Sequence, residues 1–150
     1  DFVEQIVELL DQAGMDHSRF ELELTESMLM QQAEGPNTVL QQLEQHGIPV
    51  AIDDFGTGFS SLAYLQEIHA ECLKIDRRFI IDIEHQSTNT RISASILAMA
   101  QALGMKVIAE GVETEAQLAV LRQLGCDYYQ GYLCSPALPI TEFIKLLEQT

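Results

Sequence analysis

The chain has 150 residues, 47% of them hydrophobic, and 23 acidic against 8 basic residues give it a net charge of −15. That apolar share suffices for one ordinary core. The acidic balance argues against phosphate-tracking nucleic-acid binding, and no apolar run reaches the roughly 18 to 20 residues that span a bilayer. Asp1-Phe2-Val3-Glu4-Gln5 has neither a basic nor an apolar leader and reads as mid-helix sequence, so the chain is expected to be a piece of a longer protein.

Helical periodicity runs from Phe2 to Ala13, and alternation from Phe20 to Thr25 marks a first strand. A helix over Pro36 to His46 precedes a second strand, Val50 to Asp53, and a helix over Ser60 to Glu67 precedes a third, Cys72 to Ile75. Ser87 to Leu103 is helical, Val107 to Glu110 a strand, Glu115 to Leu124 a helix, Tyr128 to Tyr129 the weakest strand, and Thr141 to Gln149 the last helix. Gly14, Gly47, Gly104 and Gly125 follow helical runs as C′ glycines do. Thr114 and Gln117 have capping-box spacing. Strands alternating with helices predict βαβ crossovers and a parallel sheet. The sheet would be either part of a (β/α) barrel, whose full form takes about 250 residues, or an open doubly wound sheet.

Charge placement favours the barrel. Glu23 and Glu26, Asp53 and Asp54, Lys74 and Asp76, and Glu110 and Glu113 stand at or just past the C-terminal ends of successive strands. Those ends converge on one face of a barrel. Residues two apart share a strand face, so the aliphatics take one side while Glu23, Asp53, Lys74 and Glu110 point together on the other. Inward acids repel and are costly to desolvate without a counter-charge. Divalent Mg²⁺, Mn²⁺ or Ca²⁺ suits such oxygen ligands. Glu8, Glu44, Glu115, Glu142 and Glu148 read as solvated helix surface. Cys72, Cys126 and Cys134 lack metal spacing and are expected to be reduced, buried thiols of a cytosolic protein. His17, His46, His69 and His85 fit no ligand pattern and are expected on the surface or in loops.

The motifs Glu21-Leu22-Glu23-Leu24-Thr25-Glu26-Ser27, Ala51 to Leu62 with its D-D-F-G-T-G-F-S-S-L block, Leu73-Lys74-Ile75-Asp76, Ala109-Glu110-Gly111-Val112-Glu113-Thr114 and Gln130-Gly131-Tyr132-Leu133 resemble, in order, the signatures of the EAL domain family. The resemblance covers essentially the whole chain. It implies an α/β, TIM-like (β/α) barrel, of which residues 1 to 150 would be the C-terminal part, about five strands with their helices. It also implies hydrolysis of cyclic di-GMP to linear pGpG by a two-metal mechanism, in a cytoplasmic domain whose parent protein could be membrane-anchored upstream.

By resemblance Glu23, Asp53 and Asp54 are metal ligands, with Asp53 bridging two ions. Mg²⁺ or Mn²⁺ would serve, and Ca²⁺ would inhibit. Two ions need a bridging carboxylate, and adjacent aspartates reach both only from a turn where strand alternation has ended. Lys74 and Glu110 match the positions that orient or deprotonate the attacking water, and a salt-bridge role for Lys74 stays open. Glu26 resembles the glutamate that anchors the loop after Asp54. Glu113 and Gln130 match further site residues, with helix capping the alternative for Glu113. Asp76 is left as structural. The implied partners are cyclic di-GMP, a second copy of the domain, and an upstream sensory or GGDEF domain; no nucleic-acid polymer and no membrane contact are expected within this chain.

Two departures stand out. The E-A-L signature and the asparagine ligand of the next strand would lie before Asp1, so residues 1 to 150 alone are expected to be inactive. Cys134-Ser135-Pro136-Ala137 replaces the family's usual aromatic and basic residues before a proline. The rival readings are a catalytically silent EAL domain that binds cyclic di-GMP or a protein partner, and a sugar-phosphate barrel enzyme. The second would need a late phosphate-binding glycine loop, which Gln130-Gly131-Tyr132 is not.

Overall fold

The computed structural model describes residues 2–31, 38–56, 58, 65, 66, 68, 70–85 and 87–148, without the side chains of residues 29–31 and 38. Five strands, β1 (Leu22–Thr25), β2 (Val50–Phe55), β3 (Cys72–Ile75), β4 (Lys106–Glu110) and β5 (Tyr128–Gln130), form one sheet in the order β1-β2-β3-β4-β5. Every neighbouring pair is parallel. Around them lie α1 (Phe2–Ala13), α2 (Glu26–Gln31), α3 (Thr38–Gln45), α4 (Thr88–Ala102), α5 (Glu115–Gln123) and α6 (Ile140–Leu147). The sequential order never reverses, as it must in a doubly wound sheet, so the architecture is that of consecutive (β/α) barrel units.

One face of the sheet carries the core. Ile52, Leu73, Ile75, Val107 and Ala109 are wholly buried against Leu97 and Ala100 of α4 and Leu118 and Leu121 of α5. A second cluster joins Val3 and Leu10 of α1 to Leu43 of α3 and to Val50. Each large aliphatic so buried contributes about 1.5–3 kcal/mol. In-register partners share a face of a parallel pair, and the ladders match Glu23 with Ala51, Lys74 with Ile108, and Glu110 with Gln130. The sheet therefore turns its charged side chains to the face away from the helices.

The C′ glycines are confirmed by left-handed backbone: Gly14, Gly47, Gly104 and Gly125 have φ of 62°, 67°, 75° and 79°. Thr114 and Gln117 form both halves of the capping box. The boundaries differ in small ways. Phe20 and Glu21 precede β1, because a 3₁₀ turn, His17–Arg19, ends on Phe20. β2 continues to Phe55, two residues beyond the expected end. α2 starts on the residue after β1 and has no counterpart in the sequence reading. Of the expected helix from Ser60 to Glu67, only residues 65 and 66 fall among those described, and both are helical. Residues 36, 37, 69 and 149 likewise lie outside.

The cysteines need correcting. All three are free, but Cys72 alone is buried; Cys126 is half-buried at the edge of the core, and Cys134 is exposed in the turn after β5, where its neighbour Leu133 is the residue that packs inward.

Candidate active site

Lys74 is buried in β3, and its ammonium meets three carboxylates from three neighbouring strands. Nζ lies 2.7 Å from Glu23 Oε1, 3.0 Å from Asp53 Oδ1 and 2.8 Å from Glu110 Oε1. Period-two alternation creates this meeting, since Glu23, Asp53, Lys74 and Glu110 all point from the same sheet face. Burial alone would push the Lys74 pKa down, but hydrogen bonds to Glu110, Glu23 and Asp53 outweigh it and hold the pKa above the usual lysine range. The salt-bridge role left open for Lys74 is thus present. It also gives Lys74 the character of a fixed cation and donor.

Asp53 and Asp54 diverge through the backbone. Asp54 has φ of 55°, and the β2–β3 register shifts between Ile52 and Phe55. Alternation is broken by an irregularity inside β2, not by a turn after it, and both side chains reach the charged face. Asp53, Asp54 and Glu110 each bring a carboxylate oxygen within 4.8 Å of the others. Glu23 instead rests on Lys74. Partial loss of solvation beside the neighbouring strand ends, followed by the charges of Asp53 and Asp76, pushes the exposed Asp54 carboxyl above its ordinary range.

The loop after β2 is tied from below. Glu26 is buried, and its Oε2 accepts from the N–H of Gly56 at 2.9 Å and of Gly58 at 3.1 Å. A Cβ on Gly58 would stand 3.1 Å from this carboxylate. The anchoring contact expected of Glu26 is therefore made. Asp76 accepts from Arg78 N at 2.7 Å and caps the 3₁₀ turn Arg77–Phe79, a structural contact as expected.

Beside the acids a cleft of about 270 Å³ opens between Glu110, Glu113, Gln130, Tyr132 and Arg77. Glu113 does not cap α5, because Thr114 does. Its Oε1 instead meets Arg77 Nη2 at 2.7 Å. Arg77 and Tyr132 were not among the expected site residues. The signal that could have found Arg77 is its place just past the C-terminal end of β3, where the strand-end rule already pointed.

The residues fit a divalent cation. The donor set is hard oxygen: Asp53, Asp54 and Glu110 bring carboxylate oxygens within 4.8 Å of one another, and the one ammonium at the site already faces three carboxylates, Glu23, Asp53 and Glu110, so negative charge is left over for a cation. Such a set suits Mg²⁺, Mn²⁺ or Ca²⁺ over softer metals.

The family model of the EAL domain matches residues 1–137. The chain belongs to the EAL domain family. It is 45% identical over 145 residues to the cyclic di-GMP phosphodiesterase NbdA of Pseudomonas aeruginosa, covering 97% of this chain and 18% of that protein. It is 41% identical over 142 residues to the bifunctional diguanylate cyclase/cyclic di-GMP phosphodiesterase MucR of the same organism, covering 95% of this chain and 21% of MucR. The chain thus spans about a fifth of the length of these curated relatives. The solved c-di-GMP complex of the PaMucR phosphodiesterase superposes with a TM-score of 0.90 at 41% identity, over 94% of this chain and 57% of that one. Klebsiella pneumoniae BlrP1, in calcium and manganese complexes with cy-diGMP, superposes with a TM-score of 0.80 at 32% identity, over 89% of this chain and 34% of that one. Among the described residues no helix is long and apolar enough to cross a membrane.

Proposed function

We propose that these residues are part of one EAL phosphodiesterase domain that hydrolyses cyclic di-GMP to linear pGpG. The observation that carries this reading is the convergence of Asp53, Asp54 and Glu110 beside buried Lys74, at the C-terminal ends of three adjacent strands. The phosphodiesterase names of NbdA and MucR and the ligands of the PaMucR and BlrP1 structures support the substrate.

Glu23, Asp53 and Asp54 would hold two divalent cations, with Glu110 beside them. Bound there, the cations supply charge neutralisation at the phosphoryl oxygens and acidify a coordinated water. The chain's own residues do the rest. Lys74, kept protonated by its three acids, fixes Glu23, Asp53 and Glu110 in one arrangement and offers a positive charge to an anionic diester. Glu110, half-buried at the cleft, can orient a water or accept its proton. Glu26 sets the loop of Gly56 and Gly58 behind Asp54, so that Asp54 keeps its left-handed backbone. Gln130, the in-register neighbour of Glu110 on β5, offers an amide to the same water network.

Mg²⁺ or Mn²⁺ should support turnover and Ca²⁺ should inhibit it, because Ca²⁺ is larger, tolerates looser geometry and acidifies water less. A cytoplasmic setting, a second copy of the domain and an upstream sensory or GGDEF domain belong to the same reading. The decisive experiment follows pGpG formation chromatographically with the full-length protein. Turnover in Mg²⁺ or Mn²⁺ that chelation abolishes is the expected result. Binding of cyclic di-GMP without turnover would make the domain a receptor and overturn the proposal.

A further inference from the structure

We infer that Arg77 is a positioning residue for this reaction, holding Glu113 in a fixed place at the cleft beside Glu110. The inference rests on the phosphodiesterase reading above and concerns a residue that no part of that reading uses.

Arg77 and Glu113 come from different loops. Arg77 opens the 3₁₀ turn after β3, and Glu113 precedes α5 in the loop after β4. Their side chains meet at 2.7 Å, Nη2 to Oε1, and both line the cleft that contains Glu110 and Gln130. Arg77 is the one cation among the described residues lining it. The neighbouring Arg78 is engaged elsewhere, with its Nε 3.1 Å from Asp76.

The loop between them is built to bring this pair together. Gly111 has φ of 69°, and a Cβ there would stand within 2.8 Å of Arg77 Cβ and Cδ, so the arginine stem runs across the bare glycine. A side chain at Gly131 would run into the backbone of Val112. Val112 is pinned there, donating its N–H to Gln130 O at 3.1 Å and accepting from Leu133 N at 3.0 Å. Glu113 N donates to Oε1 of buried Gln117 at 2.8 Å. With its backbone fixed, only the side-chain rotamer of Glu113 remains free, and the guanidinium removes that freedom.

An exposed ion pair contributes only about 0–1 kcal/mol to stability, so fold stability is a poor reason for this construction. Orientation is a better one. Glu113 stands three residues from Glu110 on a face crowded with acids, and without Arg77 like-charge repulsion would turn it toward solvent. A carboxylate held at the cleft is a fixed acceptor for water or a substrate hydroxyl, and such placement governs turnover more than binding.

The test uses the full-length protein with Arg77→Met, which keeps the stem on Gly111 and removes the charge, together with Glu113→Gln and the double variant. Arg77→Met should lower kcat about tenfold, with KM, and calorimetric affinity for cyclic di-GMP in Ca²⁺, within about threefold of the unaltered protein. Its Tm should move little, as expected of an exposed pair. The double variant should be no worse than about twofold below the weaker single variant, because both changes remove one arrangement. The inference is overturned if Arg77→Met keeps kcat within twofold, if the two losses multiply, or if Glu113→Gln is fully active. It also fails if affinity drops more than tenfold while kcat holds, since Arg77 would then grip the substrate itself. Inactivity of the unaltered protein would sink the phosphodiesterase reading instead, and that arm is read separately.

Discussion

Asp53 and Asp54 are neighbours in sequence and differ in what their loss should do. Asp53 is half-buried, with its Oδ1 3.0 Å from Lys74 Nζ; Asp54 is exposed, on left-handed backbone. If Asp53 is shared by two cations, Asp53→Asn weakens the whole centre, whereas Asp54→Asn weakens one edge. Steady-state kinetics should show a loss of roughly 100-fold or more for the first and about 10-fold for the second, in line with the cost of disturbing a metal shell. Equal, mild losses would remove the shared role. The cysteines give a second test at this scale. Burial pushes the Cys72 and Cys126 thiols up to about 11, and thiolate is the reactive form. Iodoacetamide near pH 8 should therefore label exposed Cys134 first, read by peptide mass spectrometry. Labelling of Cys72 at the same rate would contradict its buried placement.

Among the elements, the strands were legible because period two needs only four or five residues to declare itself, and β3 matches its expected bounds, Cys72 to Ile75. Period two also exposed the site: Glu23, Asp53, Lys74 and Glu110 fall on one face by parity alone. α2 was not legible. It follows Thr25 without a loop, and its start is marked only by Thr25 Oγ1 accepting from Met28 N at 3.3 Å. The irregularity in β2 was hidden for a related reason, since nothing in Asp53-Asp54-Phe55 announces a positive φ at an aspartate. Arg77 stands at a strand end where charge was already being read, but what gives it a part there is loop packing across Gly111, which no periodicity encodes. That packing is itself testable. Gly111→Ala places a methyl against the Arg77 stem on left-handed backbone. Backbone strain of this kind costs about 1–3 kcal/mol, or roughly 3–10 °C in Tm for a domain of this size. Turnover should fall along with that of Arg77→Met, and an unchanged Tm would show that the loop relaxes freely.

For the molecule as a whole, the imbalance of 23 acids over 8 bases becomes a statement about folding and cations. Helix-surface acids such as Glu8, Glu115 and Glu142 face water and repel weakly through it, as scattered exposed charges do. The strand-end acids are different, because folding gathers three of them around a single ammonium and sets Asp54 beside two of these. A divalent cation that binds this gathered set binds the folded state and not the dispersed chain, so it must stabilise the fold by mass action. At a concentration about 100 times its Kd the gain is about 2.7 kcal/mol, equivalent to roughly 5–10 °C in Tm. Scanning calorimetry of the full-length protein should show that rise with Mg²⁺ or Mn²⁺ and its reversal on chelation. NaCl at matched ionic strength separates the two sources, since screening of scattered surface charge follows ionic strength whatever the ion. Asp53→Asn should remove most of the Mg²⁺-specific rise while leaving the NaCl response intact. A Tm that responds identically to Mg²⁺ and to ionic-strength-matched NaCl would mean that the gathered carboxylates hold no cation, and that Lys74 alone balances them.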